Sequence, residues 1–450
     1  MNARKRILED LPREHGFEPL HVEGALPPGL RGTLYRNGPA LTGRFGRRYT
    51  HIFEGDGAVS AVRLGDGAAQ GAVRLVRTAG FNEETEAGRL LYGFGAPWPT
   101  RMRRAWADRE KNTANTSVLW WNDGLYALME ACRPVAVDPD TLDTRGERDL
   151  DGVIERSFSA HPHRVASLDT VFNIGLRYGR EPGVVLYAWP RGGACRRLGF
   201  VPLPRNTMLH DFIVTARHLV LFVNPVTVNL WRAIAGIGPF EKLLQWRPEL
   251  GTEVIVVPLD DPERPARFTV EPFFQWHFAN AFEDGDAVVV DYCRYPDFDS
   301  IGAIDALDAS DIAMPVYHRA RVRPASQGFE STPLGLSCDF PRIDPAQEGQ
   351  RHDAAVVLGH AEGRDTLARL APDDGAVDQL ALGADAVASE PIFVPEPGGA
   401  GWVLCLEYDG ARHQSALAVY AADRLPEGAL ARCWFDHHVP LTFHGAWVEA

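Results

Sequence analysis

Residues 275–284, QWHFANAFED, run from an aromatic-rich strand into an acidic turn, and the apolar run AVVVDYCRY follows. Strand, turn and strand make the unit of an antiparallel sheet. Here the unit sets one imidazole, His277, at a sheet rim, with Asn280 and Glu283 close behind it. One such histidine says little, because most are polar surface groups or satisfied core residues. Three others occupy comparable places: His161 in SAHPH, His210 in MLHDFIV and His444 in LTFHGAW. The pattern predicts that these four imidazoles meet around one metal ion on the axis of an all-β fold.

The rest of the chain repeats the strand-and-turn unit. SVLWWNDGLYALME is two apolar strands joined across Asn122, Asp123 and Gly124, a hairpin signal. GVVLYAWP, HDFIVTARHLVLFVNP, TEVIVVPL, GWVLCLEYDG and SALAVYAAD continue it, spaced by Asp, Gly and Pro turns and almost never by helices. At 450 residues the chain could hold two domains, yet closed all-β folds often exceed the usual domain size. No strict repeat is visible, so a propeller stands beside a large sandwich. Residues 1–25 read as a loose lead-in and residues 26–450 as one body. Residues 230–246, LWRAIAGIGPFEKLLQW, read as a helical excursion broken at Gly238 and Pro239. Trp231, Ile234, Ile237 and Phe240 make this segment more apolar than a solvent-facing loop needs. It is either a helix packed over the sheet or an apolar lid or interfacial patch.

Composition narrows the function. The chain is 45% hydrophobic and 24% charged, as in a folded soluble protein. A net charge of -14 with no offsetting Lys/Arg block argues against a nucleic-acid binder. Arg101, Arg103, Arg104, Arg109 and Lys111 form a local basic run that reads as a solvated loop. The six cysteines lie singly, without a CxxC pair, so a zinc-ribbon or dithiol framework has no support. The N-terminus lacks the apolar core of a signal peptide, and no run approaches the roughly 18 apolar residues of a membrane span. These features point to a reducing, cytoplasmic location, which suits a ferrous ion.

Fifteen histidines make chance clusters easy, so each setting counts. His277 lies between Trp276 and Phe278, as a partly buried imidazole would. His444 stands in a terminus, FHGAWVEA, that stays apolar to its end. His210 opens an apolar strand beside Asp211, a pair that surface chemistry would explain equally well. His161 precedes Pro162 and His163. Four neutral imidazoles suit iron(II), zinc or copper, but zinc usually takes fewer histidines and an anionic ligand. Such a set leaves the ion's charge intact and up to two positions open for dioxygen or substrate. Carboxylates are then expected behind the rings, accepting their N–H bonds and fixing the tautomers. Glu130 in LYALMEACRP, Asp339 in LSCDFPRID and Glu390 in VASEPIFVP are acidic residues in apolar contexts that fit this task.

The chain resembles the carotenoid cleavage oxygenase family. The similarity is carried in order by PPGLRGTLYRNGP, HIFEGDGAV, NTANTSVLWWNDGLYALMEACRPVAVDPDTLDT, FSAHPH, MLHDFIV, LLQWRPELGTEVIVVP, WHFANAFEDG, CDFPRIDP, SEPIFVP and FHGAW. The resemblance implies a seven-bladed β-propeller under a cap of loops and helices, with an axial non-heme iron(II) held by His161, His210, His277 and His444. It places the family's supporting glutamates on Glu130 and Glu390. The third falls on Asp339, one methylene short, with a reach to its histidine that is expected to be poor or bridged by water. A small hydroxylated residue near the iron in some members matches Thr116. Glu54 and Ala58 depart from the family pattern in HIFEGDGA.

What the resemblance implies for function is addition of dioxygen across an electron-rich carbon–carbon double bond, giving two carbonyl products. The absence of a G-x-S-x-G elbow, a Walker loop or an H-E-x-x-H motif agrees with a reaction that needs no nucleophile. The substrate would be hydrophobic, a polyene or a stilbenoid. Trp98, Trp120, Trp121, Phe274, Trp276, Phe278 and residues 230–246 are candidates for an apolar tunnel, with core packing the plain alternative for any single ring. Stilbene-cleaving members carry a lysine immediately before the first supporting glutamate. Met129 stands there in this chain, which favours an apocarotenoid-like polyene. Two rival readings are a retinoid-type isomerase or hydrolase and a non-catalytic propeller scaffold. A weak, reversible association with membrane surfaces is expected, and no oligomeric state can be read.

Overall fold

The structure, a computed structural model, describes residues 3–107, 110–235, 240–302 and 314–450. Tight antiparallel hairpins build it. In the pair Ser117–Trp121 and Gly124–Leu128, Asn122 and Asp123 adopt positive φ angles of 49° and 59°. That left-handed pair matches the twist of the two strands it joins.

Six sheets of four or more strands carry the body, with two short two-stranded ribbons beside them. The first has five strands and ties the chain ends together: the C-terminal strand His444–Glu449 pairs with Gly32–Leu41. Three four-stranded sheets follow, running in chain order from residue 117 to residue 270. A seven-stranded sheet begins at Phe278–Asp284 and ends at Val377–Ala381, and a six-stranded sheet completes the set.

This corrects the expectation of an all-β, seven-bladed propeller. The described elements are mixed α and β, and every sheet is open; none closes on itself or curls into a barrel. The count fails for a physical reason in one strand. Gly328–Ile343 is 16 residues long. Its first half pairs with Val316–Arg323 and its second half with Ala355–Ala361, fusing seven strands into one hydrogen-bonded sheet. The lead-in is also corrected, because His15–Pro19 is an edge strand on Ala68–Leu75 and His21–Gly24 pairs with Ala431–Trp434.

Apolar clusters fill the spaces between consecutive sheets. Phe222 meets Phe273, Phe278 and Tyr292 at ring-centroid distances of 5.4, 5.1 and 5.2 Å. Each such pair adds about 0.5–1.5 kcal/mol beyond the area it buries. This cluster anchors the strand that His277 introduces. Leu34 and Val62 of the first sheet pack with Leu404 and Leu417 of the last.

Helices 79–87 and 98–106 were not expected from the sequence. Thr78 caps the first by accepting from the Phe81 N–H, and Gly88 ends it in the left-handed region at φ 61°. The first is an ordinary start signal and the second an ordinary stop signal. Among the described residues of the apolar excursion, only Leu230–Ala235 is α-helical. Leu244–Trp246 pairs as a strand with Val226–Val228. Ile237, Gly238 and Pro239 lie outside the described residues, as does Arg109 of the basic run. None of the helices 79–87, 98–106 and 230–235 contributes a described residue to the wall of the metal cavity; the helical residues there are Arg4 of Ala3–Arg6 and Phe53 of the short 3-10 turn Ile52–Glu54.

Candidate metal centre

Each of the four histidines introduces the edge strand of a sheet. His161 and His210 stand two and three residues ahead of His163–Val165 and Ile213–Val214. His277 immediately precedes Phe278–Asp284, and His444 opens His444–Glu449. One nitrogen from each ring lies within 4.8 Å of the others, and all four residues are buried. Ligand bonds of about 2.1 Å put opposite donors around one ion about 4.2 Å apart, so the cluster has the span of a single coordination sphere.

The donor set fits a divalent ion. His277 Nδ1–H donates to Asp339 Oδ1 at 2.8 Å, and His444 Nδ1–H donates to Glu390 Oε1 at 2.9 Å. His210 Nδ1 makes a short contact with Glu130. With Nδ1 occupied, Nε2 is the free donor atom on all three rings. Among the described residues His161 has no carboxylate partner, and its buried Nε2 has no hydrogen-bond partner. An orphaned buried nitrogen of this kind is costly unless it has a ligand. Burial and the three neighbouring imidazoles hold His161 well below the usual histidine range, and burial, outweighing Glu390, lowers His444 to about 4. Both rings are therefore neutral and ready to coordinate. At His277 burial also opposes protonation, but the charge and hydrogen bond of Asp339 outweigh it and raise the pKa.

Two of the three carboxylates, Asp339 and Glu390, are held from behind. Asp339 reaches His277 directly, which corrects the expectation of a poor or water-bridged contact. It does so because the Phe340 N–H donates to Oδ1 at 2.9 Å and the Tyr295 hydroxyl to Oδ2 at 2.7 Å, fixing the shorter side chain in place. Glu390 accepts from the Gly445 N–H at 3.0 Å. Arg36 lies 3.7 Å and Arg342 3.8 Å from its carboxylate. Burial works against ionisation of Glu390, yet Arg342, His444 and Arg36 lower its pKa to about 2. Neither Tyr295 nor Arg36 was singled out in the sequence. Arg36 is a buried arginine in the middle of the strand GTLYRNGPAL, and that placement was the available signal.

Asp339→Asn is expected to weaken iron retention roughly ten- to a hundredfold by removing a charged acceptor from His277. Asp339→Glu should weaken it as well, because the aspartate already spans the gap and the added methylene pushes against Tyr295. Metal titration of the two variants checks this. Unchanged affinity in both would remove Asp339 from the support of the centre.

His210, His277 and His444 open on a cavity of about 220 Å³ whose wall includes Phe53, Trp276, Phe340, Leu358, Val387 and Phe443. Trp276 stands edge-on to His210 at 4.7 Å, and Phe340 lies 4.7 Å from His277. Thr116 is in the same wall. Its carbonyl accepts from the His444 N–H at 3.2 Å and its hydroxyl donates to Asn115 at 3.1 Å. Of the aromatic residues proposed for substrate contact, Trp276 alone lines this cavity. Trp121 and Phe278 are core residues, and Trp98 is exposed. Asn280 and Glu283 point elsewhere. Asn280 donates to the Gln350 carbonyl at 2.7 Å, and Glu283 accepts from Arg217 at 3.0 Å. Met129 is not in the wall; its sulfur accepts from the Thr113 N–H at 3.3 Å.

A buried four-imidazole centre backed by carboxylates and opening on a largely apolar cavity is the site expected of the carotenoid cleavage class of non-heme iron oxygenases. The chain belongs to that family: residues 9–449 match the family model described as retinal pigment epithelial membrane protein. It is 31% identical to the apocarotenoid-15,15'-oxygenase of Synechocystis, over 99% of this chain and 96% of that relative. It is 28% identical to resveratrol cleavage oxygenase 1 of Aspergillus fumigatus, over 100% of this chain and 98% of the relative. The crystal structure of cobalt-substituted Synechocystis apocarotenoid oxygenase is similar at a TM-score of 0.90 and 29% identity, covering 100% of this chain and 98% of that one. The four-histidine cluster matches the iron site of the family, and the chain is an iron-dependent oxidoreductase with the family's oxidative cleavage chemistry.

Proposed function

We propose that this enzyme cuts one double bond of an apocarotenoid-like polyene with dioxygen, so that the two alkene carbons become two carbonyl groups and both oxygen atoms enter the products. The observation that carries this reading is the direct opening of His210, His277 and His444 onto an aromatic and aliphatic wall. Iron(II), held by the four histidines, would supply the activation of dioxygen. The protein's own part is geometric and electrostatic. Asp339, Glu390 and Glu130 fix the imidazoles in the coordinating tautomer. Trp276 and Phe340 buttress His210 and His277 and present dry surface to the substrate. Met129 in place of a lysine weighs against a 4-hydroxystilbenoid.

The test is turnover in labelled dioxygen of apocarotenoids and stilbenoids, with mass spectrometry of the products. Label in both carbonyl fragments of the polyene is expected once exchange with water is controlled. Cleavage of stilbenoids alone would move the substrate class, and recovery of only an isomerised or hydrolysed polyene would end the cleavage reading.

The substrate's insolubility supports a cytoplasmic enzyme that collects it at membrane surfaces. Among the described residues no helix is long and apolar enough to cross a bilayer. Trp106 and Trp231 are 74% and 83% exposed, on helices 98–106 and 230–235 that touch one another, and Arg103 lies exposed on the first. The side chains of Ile234 and Phe240, which the sequence also offered for this patch, lie outside the described residues. Inserting roughly 100 Å² of each ring at about 25 cal/mol per Å² gives about 2.5 kcal/mol per tryptophan. Replacing Trp106 and Trp231 by serine should therefore reduce liposome association at least about tenfold, while turnover of a short soluble substrate is spared. Equal loss on soluble and membrane-held substrates would mean that the patch supports the fold.

A further inference from the structure

The cavity that opens on the metal centre is not apolar throughout. Arg4, His360 and Asp365 form part of its wall. Arg4 comes from the N-terminal helix Ala3–Arg6 and the other two from the paired strands Ala355–Ala361 and Arg364–Leu370. Arg4 Nη2 donates to Asp365 Oδ1 in a short contact and lies 3.0 Å from His360 Nδ1. Asp365 Oδ2 accepts from the Ala388 N–H at 3.0 Å. Ala388 is two residues from Glu390, so the trio sits roughly 7 Å along the chain from the support of His444. Arg4 and His360 are each 24% exposed and Asp365 is 7% exposed. The group therefore marks the rim of the cavity rather than its depth.

We propose that Arg4, His360 and Asp365 form a recognition site for a neutral oxygen-bearing end group of the substrate, a hydroxyl or a carbonyl, and so set how far the chain threads toward the metal. The inference rests on the hydrophobic-substrate reading above and adds the chemistry of the substrate's polar end. Arg4 is a donor only. His360 Nδ1 also lies 3.2 Å from Asp365 Oδ1, but the nearer Arg4 Nη2, at 3.0 Å, can only donate; with Nδ1 accepting from it, the ring proton lies on Nε2, for which the described residues show no hydrogen bond. Nε2–H is then a donor for a neutral oxygen. The charges of Arg4 and Asp365 cancel locally, so a carboxylate gains no net attraction and loses its hydration. The position also matters to chemistry. An end group fixed at the rim leaves a set length of chain between it and the centre, and that length selects the double bond presented to dioxygen.

Equilibrium binding to the iron-loaded protein under nitrogen tests this without turnover. The probes are twenty-carbon polyenes that differ only in ending as an alcohol, an aldehyde, a carboxylate or a methyl group, followed by polyene absorbance. The alcohol and aldehyde should bind about tenfold more tightly than the methyl-terminated chain, as one hydrogen bond at a partly exposed rim would give. His360→Phe should abolish that preference and His360→Gln, which keeps a donor, should retain it. Arg4→Met should reduce it. Circular dichroism identifies any variant that fails to fold, in which case the His360 pair decides. The proposal is overturned if the unaltered protein shows no preference, if the preference survives in His360→Phe, or if the carboxylate binds best. Failure of the polyene-cleavage reading would appear separately, as absence of shortened carbonyl products with dioxygen present.

Discussion

His277→Ala protein, loaded anaerobically with iron(II), is expected to retain less than about a tenth of the metal that the unaltered chain binds at about one ion per chain. Three imidazoles remain, but the loss removes more than one bond. His277 is tied to its surroundings through Asp339, Tyr295 and Phe340. The fold should survive, because the strand that follows is anchored by Phe278 in the cluster with Phe222 and Tyr292, which the substitution leaves intact. Asp339 also keeps two of its partners, Tyr295 and the Phe340 N–H, so the freed carboxylate is not stranded. Circular dichroism should match the unaltered protein while metal analysis and turnover fall together. Full iron occupancy in the variant would take His277 out of the coordination sphere.

The metal centre was more legible in the sequence than the sheets around it. Each histidine stands where an apolar or aromatic strand begins, and a polar ring in that setting needs a partner; the same logic exposed Glu130, Asp339 and Glu390. The reach of Asp339 was misjudged because its shortness is compensated by Tyr295, a residue 44 positions away in sequence. Sheet boundaries were hidden for a related reason. Whether Gly328–Ile343 ends one sheet or joins two depends on which partners flank it, and strand periodicity looks the same in both cases. The lead-in was misread because His15–Pro19 finds its partner in Ala68–Leu75, a pairing that no local turn announces. Helix 79–87 has local signals at both ends, the Thr78 cap and Gly88, but only nine residues lie between them. The polar rim formed by Arg4, His360 and Asp365 had no local signature, since its members come from opposite ends of the chain.

Arg36→Met should destabilise the protein by about 3–5 kcal/mol, the cost of removing one partner from a buried ion pair. Arg36 is 1% exposed, and its guanidinium fills three acceptors: Nε donates to Thr442 Oγ1, Nη1 to the Glu390 carbonyl and Nη2 to the Phe443 carbonyl, all at 2.8 Å. It therefore clamps the backbone on both sides of the Glu390–His444 contact as well as facing the carboxylate. Methionine matches its length and apolar stem but leaves two carbonyls and part of a negative charge without compensation. The loss should depend on pH with a definite sign. Glu390 has a folded-state pKa of about 2 against an ordinary value of 4.5. Its favourable contribution is thus complete above the ordinary value and disappears as pH falls toward about 2. Removing Arg36 makes ionised Glu390 less favourable, so the gap between variant and unaltered protein should be widest near neutrality and narrow in acid. The double variant Arg36→Met with Glu390→Gln should recover about 0.5–3 kcal/mol relative to the sum of the single losses, because a neutral amide needs no counter-charge. Urea unfolding of the four proteins at neutral and acidic pH measures both effects. Strictly additive losses, or a gap that widens as pH falls, would show that Arg36 acts only through packing and not through the charge of Glu390.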